Sequence, residues 1–389
     1  MEELQTPCFV LDEEGFINNL CNFQRVLKQY FRKAVLGYSF KTNSLPRLLS
    51  IALEKGCYAE VVSEDEYRLA ERIGYPANRI IFNGPIKPKK LLFYALEEGS
   101  MVNVDSNREI EWLYKHNFKS PVSIGIRVNI DLEDALPEES LTGTLGGRFG
   151  FSEKTGALHN VINRLKDNKN VNVVGLHLHT GSKTKSVRVY EVLVNEACRI
   201  AKAEKLNLSY IDIGGGFFGG GDSGQAYDAY IAAIHRILEE NEMEQIELIV
   251  EPGASVVATA FSYCTKVIDV KDTNYGRYVV TDGTRLHIDP FMAKSQYRYE
   301  TVASGTSVLP KQTICGYTCM EKDRIMDIIE ELELQVGDGI RYQIVGSYTL
   351  CLNASFISFL PRVYAMRGGK YTLAREKWGV EEYLQGSWW

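Results

Sequence analysis

The chain has 389 residues, 45% of them hydrophobic and 24% charged, with a formal net charge of −6 and a sequence pI near 5.7. That composition suits a globular protein long enough for a barrel of about 250 residues plus a second domain, and it lacks the basic footprint of a nucleic-acid or acidic-membrane binder. No stretch approaches ~18 uninterrupted apolar residues, the acidic start Met1-Glu2-Glu3-Leu4-Gln5 has no basic n-region or apolar h-region, and the eight cysteines form no CxxC pair; no membrane span, zinc site or disulfide framework is expected, and a cytoplasmic location is.

In chain order, Thr6 to Asp12 reads as a strand, and Glu13 to Tyr30 as a helix with Phe16, Leu20, Phe23, Val26, Leu27 and Tyr30 at helical spacing. The apolar run Ala34 to Tyr38 is a short buried strand, followed by a helix from Leu45 to Lys55 with Pro46 in its first turn. Tyr58 to Val62 is a strand and Glu64 to Ile73 a helix stopped by Gly74. The cycle continues with strands at Ile80–Gly84, Met101–Val104 and Val122–Asn129 and helices at Pro88–Glu98 and Asn107–His116. After a polar loop from Asp131 to Gly147 come the strand Val173–His179, the helix Val187–Glu204, the strand Tyr210–Ile213, the helix Tyr227–Glu240 and the strand Glu247–Glu251.

About eight strand–helix units in this order predict a parallel sheet with right-handed crossovers, closed as an α/β barrel of the (β/α)8 TIM type. From about Phe261 the texture changes to short strands joined by turns, at Tyr263–Val270, Tyr278–Thr281, Ile340–Val345 and Arg362–Met366, which predicts a mostly β C-terminal domain.

Within this frame Lys41, in Gly37-Tyr-Ser-Phe-Lys-Thr-Asn43, leaves a strand at its C-terminal end. Strand C-termini carry the active site in such barrels, and a half-buried lysine there can act as an amine nucleophile. The run Asp212-Ile-Gly-Gly-Gly-Phe-Phe-Gly-Gly-Gly221 bares backbone N–H groups in the way a phosphate needs, or makes a tight barrel corner. Glu251, in Val250-Glu-Pro-Gly253, ends an apolar strand and needs a cationic partner if buried. His177 and His179 stand two apart on one strand face; they are able to hold a metal, but no third ligand has suitable spacing, and packing on a planar aromatic ligand is the competing use. Thr313 to Asp323 and Gly346 to Thr349 read as polar loops of the β domain.

Taken together and in this order, these pieces resemble the fold type III decarboxylases that use pyridoxal phosphate, the family of diaminopimelate, ornithine and arginine decarboxylases. The resemblance runs from Thr6 to nearly Tyr364 and implies an alanine racemase-like barrel over residues 25–262, with 1–24 and 263–389 forming the β domain that completes the active site. It implies that Lys41 forms the Schiff base with the cofactor aldehyde, that His179 stacks on the pyridine ring, and that Glu251 binds the pyridinium nitrogen. Ser182, Gly214, Gly215 and Gly216 would lie near the phosphate and Tyr348 would bind it, Gly253 would be among the cofactor-binding residues, Arg127 would stand near the ring, and Glu60 occupies the place of a family aspartate. Cys319 resembles the cysteine that family members supply across a homodimer interface, where it, or a water beside it, would reprotonate the carbon.

The resemblance thus implies decarboxylation of an amino-acid substrate, the ring accepting the charge left by carbon dioxide while Glu251 keeps its nitrogen protonated, with no metal. Substrate contacts are expected at Arg285, Met320, Glu321 and Asp323. Here the sequence departs from the family: Ala254 follows E-P-G where arginine is frequent, Met320 follows Cys319 where an acid is common, and Arg285 to Phe291 replaces R-P-x-L-Y. Diaminopimelate, another amino acid or a larger biosynthetic conjugate all fit. The rival readings are a racemase of the same fold, which pairs the ring nitrogen with arginine, a non-catalytic cofactor-binding protein, and a metal-dependent barrel hydrolase.

Overall fold

The computed structural model describes residues 4–219 and 224–388; Met1 to Glu3, Gly220 and Gly221 of the glycine run lie outside them. The chain divides into two compact units, one from Ile17 to Val256 and the other comprising the segment up to Phe16 and that from Val257 onward. The boundaries expected from sequence fall after residues 24 and 262.

The first unit is a closed parallel barrel. Its strands are Ala34–Ser39, Tyr58–Val61, Ile80–Phe82, Met101–Val104, Val122–Asn129, Val171–His177, Tyr210–Asp212 and Glu247–Val250, each paired with the next in the chain. The last pairs with the first, Ile249 opposite Val35, and closes the ring. These strands are mostly buried, which is why they read as apolar runs and not as alternations. Val35, Ile81, Tyr210 and Ile249 pack together as one interior cluster.

Helix ends follow their capping chemistry. Helix Glu64–Ile73 starts at Ser63, whose side chain accepts from the Glu66 amide, and stops at Gly74 in the left-handed conformation. Helix Asn107–Lys115 begins with a capping box between Ser106 and Glu109. Helix Ala157–Lys166 was not legible in the sequence: it follows the long polar stretch after Asn129 and is entered through Gly156, with no side-chain cap.

The second unit is a mostly β structure in which Cys8–Asp12 lies between Phe261–Thr273, antiparallel, and Arg362–Arg367, parallel. It also contains Tyr299–Val302, Val308–Cys315, Arg324–Leu332 and Lys370–Arg375, none of which the sequence reading assigned. Thr313 to Cys315, expected as loop, form the end of a strand paired with Tyr278 to Val280. Its many exposed positions and internal Pro310 disguise the period-2 pattern. Among the described residues no helix is long and apolar enough to cross a membrane.

Candidate active site

The barrel strands deliver polar side chains to their C-terminal ends. After the strand Ala34–Ser39 the chain tightens into a turn, Phe40–Thr42, with Phe40 and Thr42 buried and the Lys41 side chain 36% exposed. Its Nζ lies 2.5 Å from Oε2 of Glu60, a buried residue at the end of the next strand. Ser39 Oγ donates to that same oxygen at 2.6 Å, and Asn83 Nδ2 to Oε1 at 3.2 Å. Burial alone would push the Glu60 carboxyl up; the charge of Lys41 and these donors outweigh it and hold the group below its ordinary range.

Asn83 also donates to Oε1 of Glu251, at 2.6 Å. Asn103 continues the chain of amides, donating to Asn83 Oδ1 at 2.9 Å and to Asp212 Oδ2 at 3.0 Å. The Gly214 amide donates to Asp212 Oδ1 at 2.9 Å. His177, Asp212 and Glu251 bring one nitrogen and two carboxylate oxygens within 4.8 Å of one another. The partners that sequence spacing did not supply for His177 therefore exist in space. Because amides already occupy three of the four carboxyl oxygens, the arrangement is that of a hydrogen-bonded carboxyl pair. Burial first, then each other's charge and that of Glu60, push Glu251 well up; burial carries Asp212 up to about 7.

His177 is buried, with both ring nitrogens lacking a hydrogen-bond partner. His179 lies beside it, the two rings 18° from parallel with centroids 6.3 Å apart. Burial, then the charges of Lys41 and Arg127, push His179 down to about 3, so it is a neutral ring at physiological pH. Its Nδ1 accepts the Gly215 amide at 3.2 Å. The amides of Gly214 and Gly215, expected to face a phosphate, thus serve Asp212 and His179. Gly214 is needed for its φ of +66° and because a Cβ there would collide with the His179 ring; a Cβ on Gly215 would collide with the Glu251 carbonyl. Gly216 has a φ of +90°. Gly253 brings the E-P-G turn against Thr42, where a side chain would clash.

Arg127 pairs with Asp105 at 3.0 Å, and its guanidinium lies 4.6 Å from the centroid of Phe149. With Leu141, Phe149, His179 and Thr180 it lines a cavity of about 290 Å³. Ser182 stands at the far end of this loop, its hydroxyl accepting the Lys185 amide at 3.0 Å.

The remaining expected site residues belong to the β unit. Cys319 is an exposed thiol, Met320 is half-buried, and the Glu321 side chain is 97% exposed. Tyr348 is exposed at a φ of +57°. Asp323, expected at the substrate, is buried and accepts from Thr284 Oγ1, the Arg285 amide and Thr318, hydrogen bonds that brace two turns. Arg285 is held by Asp289 at 3.0 Å and lines a second cavity, of about 960 Å³, with Arg277, Lys294, Lys311 and Arg324.

Sequence reasoning gave no role to Asn83, Asn103, Asp105, Asp212 or Lys87. Their shared signal is a polar residue in or just after a short apolar strand, as in Ile80-Ile-Phe-Asn83, Met101-Val-Asn-Val-Asp105 and Tyr210-Ile-Asp212. Lys87, fully buried, donates to the carbonyls of Gly84 and Asn103, both at 2.8 Å, and to Glu109 at 3.0 Å. It ties the turn carrying Asn83 to the strand carrying Asn103.

Comparison with known proteins places this geometry in context. A family model described as "Pyridoxal-dependent decarboxylase, pyridoxal binding domain" matches residues 18–258. A probable chloroplastic diaminopimelate decarboxylase of Oryza sativa subsp. japonica is 26% identical, over 98% of this chain and 79% of that protein. Ornithine decarboxylase of Mus musculus is 25% identical, over 90% of this chain and 77% of its own length. Among solved structures, diaminopimelate decarboxylase from M. jannaschii superposes with a TM-score of 0.88 at 23% identity, covering 100% of this chain and 93% of that one.

Proposed function

Because this chain belongs to the family of pyridoxal-dependent decarboxylases, we propose that it removes carbon dioxide from an amino acid with Lys41 as the residue that holds pyridoxal 5'-phosphate covalently. The carrying observation is the ion pair of Lys41 with a buried Glu60, 2.5 Å apart at the C-terminal mouth of the barrel.

The residues fit the cofactor on grounds of charge and polarity. Near the Asp212–Glu251 pair the nearby cation, Lys41, is matched by Glu60, and Arg127 is matched by Asp105. The pair accordingly has room for one more positive charge, which a protonated ring nitrogen supplies. The unpartnered nitrogens of buried His177 are a further polar feature that a ligand would satisfy.

When bound, pyridoxal phosphate supplies a ring that accepts the negative charge left on the substrate carbon as carbon dioxide departs. Lys41 supplies the attachment amine, and Glu60 keeps that amine oriented. Glu251, fixed by Asn83, would meet the ring nitrogen, and neutral His179 would pack on the ring without adding charge. Gly216, Ser182, Gly253 and Tyr348 are the proposed phosphate neighbours, with Arg127 beside the ring. The thiol of Cys319, brought by a second copy of the chain, is the proposed proton donor to the substrate carbon.

The substrate is proposed to be a diamino acid of the diaminopimelate type or a larger conjugate. Ala254 offers no charge after E-P-G, Met320 offers none after Cys319, and Asp323 is internally engaged. Glu321 and Arg285 are left as the charged groups able to select a distal group. Racemisation is disfavoured because a carboxyl group, not an arginine, is proposed to meet the ring nitrogen.

The test is borohydride treatment of the protein incubated with pyridoxal phosphate, followed by peptide mass mapping. Fixation of the cofactor on Lys41 supports the reading, and fixation on another lysine or on none overturns it.

A further inference from the structure

The Asp212–Glu251 pair is more than a receptacle for a ring nitrogen. Two carboxyl groups with oxygens within 4.8 Å, both buried, cannot both ionise without a nearby cation. The charge of Lys41 reaches Glu251, but that of Glu60, its ion-pair partner, opposes it, so the groups facing the pair supply no unmatched cation. Lys41 is bound to Glu60 and Arg127 to Asp105, while Asn83, Asn103 and Tyr210 are neutral. His177 is kept neutral by burial and by the charges of Arg127 and Lys41.

The donors are unequally divided between the two groups. Asp212 accepts an N–H on each oxygen, from Asn103 at 3.0 Å and from Gly214 at 2.9 Å. Glu251 accepts from Asn83 on Oε1, and its Oε2 looks toward His177 Nε2 at 3.7 Å, beyond hydrogen-bond reach. Donated hydrogen bonds favour the ionised form, so the charge belongs on Asp212 and a proton on Glu251 Oε2.

We propose that Asp212 and Glu251 hold one proton between them, and that Asp212 is the positioning residue that keeps this proton on Glu251 until a ring nitrogen takes it. In that transfer the Oε2–H bond of Glu251 breaks, an N–H bond forms, and the O–H electron pair stays on the carboxylate. No redox partner is needed. The inference rests on the cofactor reading above, but the shared proton is a property of the protein by itself.

The experiment is infrared difference spectroscopy as a function of pH, with and without pyridoxal phosphate, on the wild type, Asp212→Asn and Glu251→Gln. The bare wild type should show the carbonyl stretch of a buried protonated carboxyl near neutral pH, Glu251→Gln should lack it, and cofactor should abolish it. In Asp212→Asn the midpoint of that band should fall by at least about one pH unit, and kcat of the loaded enzyme should drop roughly 10-fold with KM within about twofold. Absence of the band from the bare wild type overturns the proposal even if Asp212→Asn does not fold. So does an unchanged midpoint in Asp212→Asn. A band that appears as expected in a protein that takes up no pyridoxal phosphate overturns the functional reading, and the role of Asp212 with it.

Discussion

Asn83 Nδ2 donates to Glu251 Oε1 at 2.6 Å, and the same amide nitrogen reaches Glu60 Oε1 at 3.2 Å. One side chain thereby holds in register the carboxyl that meets Lys41 and the carboxyl proposed to meet the cofactor ring. Replacing Asn83 with Ala leaves Glu251 Oε1 without its donor and one of the two Asn103 side-chain N–H groups without its acceptor, in a buried place. Stability should fall by about 1–3 kcal/mol in chemical unfolding, and kcat should fall about 10- to 100-fold. A wild-type kcat would show that the bridge does not position the site.

Lys41→Ala removes the attachment amine and leaves Glu60 buried without its cation. Because Lys41 is 36% exposed, water can reach the vacated site, and the stability loss should be about 1–3 kcal/mol, below the 3–5 of a fully buried pair. Decarboxylation should be lost altogether. Denaturant titration and an activity assay on the same preparation separate the two effects.

Lys87→Met tests the support beneath the site. The substitution keeps length but strips three hydrogen bonds from a side chain with no exposed surface and leaves Glu109 buried and unpaired. A loss of about 3–5 kcal/mol is expected in urea unfolding. A near-neutral result would mean that Glu109 takes up a proton at little cost.

Stability of the cofactor-free protein should depend on pH in two opposing ways. Asp212 is raised from 3.8 to about 7 on folding, so its contribution is fully present below about pH 4 and is lost as pH rises toward 7. His179 is lowered from 6.5 to about 3, so its contribution is present above about pH 6.5 and is lost as pH falls toward 3. Melting temperatures of Asp212→Asn and His179→Asn against wild type, taken across that range, should diverge from it with opposite slopes. Parallel curves would contradict both assignments.

Much of the barrel was legible because its strands are buried on both faces and its helices are amphipathic with strong caps: Glu13–Tyr30 and Glu64–Ile73 have the bounds that their periodicity and Gly74 indicate. In the β unit, strands such as Arg324–Leu332 carry charged residues on an exposed face and lose the alternation that marks a strand. At the site, the residues with unusual local chemistry were visible: Lys41 at a strand end, Glu251 after an apolar strand and the glycines at a corner. Asn83, Asn103 and Asp212 were not, because each is an ordinary polar residue whose importance lies in three strands converging. The internal bonding of Asp323 was hidden for the complementary reason: its neighbours Thr284 and Thr318, distant or unremarked in sequence, reach its carboxylate in space.

The most direct test of the account is release of carbon dioxide from diaminopimelate, lysine, ornithine, arginine and larger amino-acid conjugates, with added pyridoxal phosphate, by the wild type and by Lys41→Ala. The account predicts release from at least one of them that requires the cofactor and vanishes in the variant. Release that persists in Lys41→Ala, or racemisation without release in a protein that has bound the cofactor, would contradict it.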